Sequence, residues 1–77
     1  MAITYEPRRF LSLDDAHFLR DAIAETCRAL KVESDDKAAR TAIAARVADL
    51  ARSGIRHVDT IRDRIVREAR ALAEIAA

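Results

Sequence analysis

The amino-acid sequence predicts an all-α fold, a three-helix bundle preceded by an irregular N-terminal arm, on three observations. Alanine fills 17 of the 77 positions against one glycine and one proline. Alanine gives up no side-chain entropy in a helix, and both breakers fall outside the helical patterns. Large apolar residues recur at three-four spacing, at Ile43, Val47 and Leu50 and again at Val58, Ile61, Ile65 and Leu72, the periodicity of one helix face. Capping residues stand between the periodic stretches. The chain therefore divides into an arm over residues 1–11 and a single three-helix domain over residues 12–77.

In the arm, Ile3 and Tyr5 alternate with Thr4 and Glu6 before Pro7 blocks a continuing helix. The pair Arg8-Arg9 is the densest positive charge, and beside a proline it reads as a solvated tail.

The first helix opens at Ser12, an N-cap whose hydroxyl can accept from Asp15 at N3, with Leu11 and Ala16 in the staple positions. Its expected inward face is Ala16, Leu19, Ile23, Cys27 and Leu30. Phe18 lies about a third of a turn off that stripe, on a flank with Ala22 and Ala29. Cover for this flank must come from the arm or from a second chain.

Ser34 or Asp36 caps the second helix, which runs to about Ser53 with Ala39, Ile43, Val47 and Leu50 inward. Alanines on its other sides suit the middle helix of a bundle or an interface helix. Gly54 then ends it: with Ser53 as C-cap, Gly54 takes the left-handed C′ position, and Ile55 can touch Leu50. Asp59 or Thr60 is the expected cap of the third helix, which runs to about Ala76 with Ile61, Ile65, Leu72 and Ile75 on its apolar stripe. Glu68 interrupts that stripe and needs a partner, either Arg64 one turn earlier or Arg46 on the second helix.

The segments Leu13-Asp14-Asp15-Ala16, Ala44-Ala45-Arg46-Val47 and Ser53-Gly54-Ile55-Arg56 resemble the short, Ala/Arg-rich uncharacterised helical proteins of bacteria. The resemblance is compositional and implies no activity.

Composition narrows function by exclusion. One cysteine, Cys27, forms no internal disulfide, and Cys27, His17 and His57 follow no zinc spacing. No cofactor or metal site and no catalytic constellation is expected. Cys27 reads as a small buried hydrophobe. A formal charge of +1 gives no bulk pull toward nucleic acid or anionic membranes. No stretch spans a bilayer, and the N-terminus lacks a secretory pattern, so a cytoplasmic location is expected.

Two functional readings remain. A chain this short has a thin core and no staples, so the first is a non-catalytic protein that works through protein–protein contact, most simply as a homodimer. Phe18, Ala22 and Ala29 on the first helix, with Val66 and Ala73 on the third, are its candidate interface. The alternative is DNA binding, because the Gly54 turn followed by an arginine-bearing helix is similar to a helix-turn-helix. Arg56, Arg62 and Arg67 would then be the contacts, although Asp63, Glu68 and Glu74 among them oppose phosphate binding.

Overall fold

A computed structural model describes residues 13–76, with side chains from residue 15 onward. The arm, the Ser12 cap and the Leu11–Ala16 staple lie outside the described residues. Three helices follow in order, α1 (Leu13–Ala29), α2 (Lys37–Arg52) and α3 (Val58–Ala76), so the all-α three-helix reading holds for this part of the chain.

The helix ends follow from local chemistry. Asp36 caps α2, its carboxylate accepting from the Ala39 N–H at 3.1 Å. At the far end of α2, the Gly54 N–H donates to Ala51 and the Ile55 N–H to Leu50, with Gly54 at φ +109°. These are the two bonds of a Schellman ending. The same motif closes α1, where the Lys31 N–H donates to Arg28 and the Val32 N–H to Cys27. There the left-handed residue is Lys31, at φ +57°. Helix α3 begins earlier than its expected caps: Val58 leads it, so Asp59 and Thr60 sit inside the first turn. The negative charge of Asp59 still favours the positive helix end.

The core joins Ala22 and Cys27 of α1, Ile43, Val47 and Leu50 of α2, and Ile61 and Ile65 of α3. Phe18, Leu19, Ile23, Leu30, Val32, Ile55 and Val58 are partly buried against it. Helix α1, not the alanine-rich α2, is the shared element, since both other helices pack mainly on it and least on each other. The reason is the width of its buried arc, which runs from Phe18 and Ala22 through Thr26 and Leu19 to Cys27, about half the helix circumference at 100° per residue. The Phe18–Ala22 flank therefore serves as a second packing face within the chain, and Ala16, expected inward, is exposed.

Candidate functional site

Two parts of the surface test the candidate residues: the α1–α3 seam and the last turns of α3. At the seam, Arg56 reaches back from the α2–α3 turn to the Asp15 carboxylate and lies over the Phe18 ring, 5.0 Å from its centroid. Part of the cover for Phe18 is thus this arginine, which comes from neither of the two sources anticipated. Farther along, Arg62 bonds Asp63 at 3.0 Å and Asp59 at 3.3 Å, with Glu25 of α1 at 3.6 Å. Hydrogen bonding to Asp63, then the Asp63, Asp59 and Glu25 charges, raise the Arg62 pKa above its usual value despite some desolvation.

A shallow groove of about 380 Å³ runs along this seam, lined by Asp21, Glu25, Arg28, Asp59 and Arg62 among others. Its charges largely satisfy one another: Arg28 is 2.6 Å from Glu25, and Arg62 takes Glu25 and Asp59. No nucleophile stands beside a base in the lining of this groove, and among the described residues there is no group of three metal donors.

The three candidate DNA contacts are not brought together. Arg56 and Arg62 are engaged by carboxylates of the chain itself. Arg67 is exposed but lies about 140° around α3 from Arg62, five residues on at 100° each.

The second surface is the end of α3. The contacts of Asp15 with Arg56, just before α3, and of Glu25 with Arg62 show that α3 runs in the same direction as α1. Carried to the end of α1, they place Ala29 level with residues 66 to 70, so α3 continues about 9–15 Å beyond α1. Every residue of α3 from Arg70 onward is exposed. Leu72 and Ile75, expected inward, are 67% and 81% exposed, and they are the exposed large hydrophobics of the described chain. On this projecting part the only charges are Arg67, Glu68, Arg70 and Glu74. Ala71, Ile75, Leu72, Ala76, Ala69 and Ala73 share an arc of about 200° that, past Glu68, no charge interrupts.

Glu68 marks where this surface begins. Its partner is Arg46 of α2, not Arg64: Arg46 Nε donates to Oε1 at 3.0 Å and Nη2 to Oε2 at 2.7 Å. Hydrogen bonding from Arg46, with the Arg46 and Arg64 charges, holds the Glu68 carboxyl below its ordinary range against a desolvation that pushes it up. One turn before Arg46 on α2 stands Ala42, and one turn after Glu68 on α3 stands Leu72; both are exposed.

Among the candidate interface residues, the structure removes Ala22, which has no exposure and belongs to the chain's own core. Phe18 is partly buried and Ala29 exposed on α1, while Val66 is partly buried and Ala73 exposed on α3. Only Ala73 lies on the projecting end, so the five do not form one patch. Leu72 and Ile75 were missed because helical periodicity marks which face is apolar, not how far the neighbouring helices reach along it.

Comparison with family models, curated proteins and solved structures finds no match. No helix among the described residues is long and apolar enough to cross a membrane.

Proposed function

We propose that this chain is a small, non-catalytic contact protein of the cytoplasm that self-associates through the projecting end of α3. The observation that carries the reading is the exposure of Leu72 and Ile75 on an apolar helix face continuous with the core residues Ile61 and Ile65. In water such a face favours whatever buries it.

The magnitude bounds the affinity. Burying what is exposed of Leu72 and Ile75 contributes about 1–2 kcal/mol per side chain, so about 4–8 kcal/mol across two copies. Association costs about 4 kcal/mol or more in lost freedom. The surplus is at most about 4 kcal/mol, so the expected dimer is weak, with a Kd of about 1 mM or more.

Light scattering at fixed concentrations, read from low micromolar to about 5 mM protein, above the strongest Kd the surplus allows, tests it. Mass should rise with concentration for the wild type, stay monomeric for Leu72→Glu with Ile75→Glu, and change little for an Ala29→Glu control on α1. A wild type that is monomeric throughout overturns the reading.

A further inference from the structure

We propose that α3 is built in two parts that open separately: residues 69–76 unwind and re-form on their own while the bundle stays folded, and the Arg46–Glu68 pair marks the step between the parts. This is a property of the single chain and does not depend on self-association.

What holds α3 differs along its length. Its first half supplies Ile61 and Ile65 to the core, with Val58 packed against them, and Arg62 adds ion pairs. After Ile65, no described residue of α3 belongs to the core or to the apolar side chains packed on it. Val66 and Ala69 are partly buried, and Arg70 to Ala76 are all exposed. Glu68 is the last described residue of α3 whose side chain bonds another helix.

Past Ala69, then, the helix is kept wound by its own backbone bonds and by the propensities of its residues. Four of the eight residues from 69 to 76 are alanine, the strongest helix former, and the bundle supplies the nucleus that so short a helix could not form alone. The end is helical at rest for that reason. Its turns carry no buried side chain, however, and a segment with exposed backbone bonds and few buried contacts opens at a small part of the cost of global unfolding.

The step has a chemical cause. Unwinding from Ala76 back to Ala69 breaks no side-chain bond to the bundle, whereas unwinding past Glu68 breaks two charge-assisted bonds from one guanidinium, at 3.0 and 2.7 Å. The chain can therefore give up the helical face that carries Leu72 and Ile75, and restore it, without disturbing Ile61, Ile65 or Val47.

Amide hydrogen exchange read by NMR tests this, at about 0.1 mM protein and in urea below the unfolding transition. Amides of residues 70–76 should be at least about 100-fold less protected than those of Val47 and Ile61. Urea should hardly change their rates, because little surface is exposed when they open, while it speeds exchange in the core. Amides of residues 67–69 should be about three- to tenfold more protected than those of 70–76, and in Glu68→Gln that step should vanish.

Two exposed alanines give a separate reading. Ala45→Gly in α2 should lower Tm by about 4–8 °C. Ala71→Gly should leave Tm within about 1 °C, because residue 71 lies outside the cooperative unit, and speed exchange at the end about two- to fivefold. Protection of residues 70–76 within about tenfold of the core, or a loss of Tm in Ala71→Gly that matches Ala45→Gly, overturns the proposal. No step at Glu68, or a step that survives Glu68→Gln, overturns the part assigned to the ion pair.

Discussion

Arg46 of α2 and Glu68 of α3 form a fork-to-fork ion pair 22 residues apart in sequence. Both side chains keep more than a third of their surface in solvent, at 40% and 36%, so geometry rather than burial gives the pair its strength.

Glu68 makes stability pH-dependent in one direction. Its carboxyl is held below the ordinary 4.5 in the folded chain, chiefly by bonding to Arg46. A group whose pKa folding depresses stabilises fully above its unfolded value and progressively less as pH falls through the folded one. At pH 7, Glu68→Gln should lower Tm by about 2–5 °C. As pH falls through the folded pKa of Glu68 the variant and wild type should converge, because both then carry a neutral side chain. Thermal melts by circular dichroism from pH 7 into the acid range read the difference, and a gap that does not narrow would show that lost packing rather than lost charge accounts for it.

The sequence carried most of the scaffold. Helix number, the Asp36 cap, the Gly54 ending and the burial of Cys27, Ile43, Val47, Leu50, Ile61 and Ile65 each follow from a local pattern. The Glu68 partner was narrowed to two arginines, of which the structure takes the distant one. Which helix is shared was not legible, because alanine on several faces of α2 permits close neighbours without demanding them. The reach of α3 past α1 was not legible either, since it depends on the offset set by Asp15–Arg56 and Glu25–Arg62, and these charges pair across 41 and 37 residues. The apolar end of α3 could be seen in sequence, but its exposure could not.

Thr26 is a second place to test the core. Its side chain has no exposure, and its hydroxyl has no hydrogen-bond partner. A buried hydroxyl without a partner is a net cost, and a methyl of the same shape removes it. Valine has a similar helix propensity, so Thr26→Val should raise stability by about 1 kcal/mol, or about 4–8 °C in Tm. Thr26→Ser, which keeps the hydroxyl and deletes a methyl, should lower it by about 1 kcal/mol. Equal stability of Thr26→Val and wild type would mean that the hydroxyl finds a carbonyl of the preceding turn in solution.

Matched Schellman endings on α1 and α2 give opposite predictions from one principle. At the end of α1 the left-handed position holds Lys31, φ +57°, and at the end of α2 it holds Gly54, φ +109°. A residue with Cβ incurs about 1–2 kcal/mol in that region, whereas glycine incurs none but loses more freedom on folding, about 0.4–1 kcal/mol. Lys31→Gly should therefore stabilise by about 0.5–1 kcal/mol. Gly54→Ala should destabilise by about 1 kcal/mol, and purely through the backbone, because a Cβ built on Gly54 meets nothing within 4 Å. Urea titrations of the two variants and of the double variant read this directly. The two sites share no residues, so their effects should add to within about 0.5 kcal/mol. A loss on Lys31→Gly would show that the lysine side chain makes a contact in solution worth more than its backbone strain.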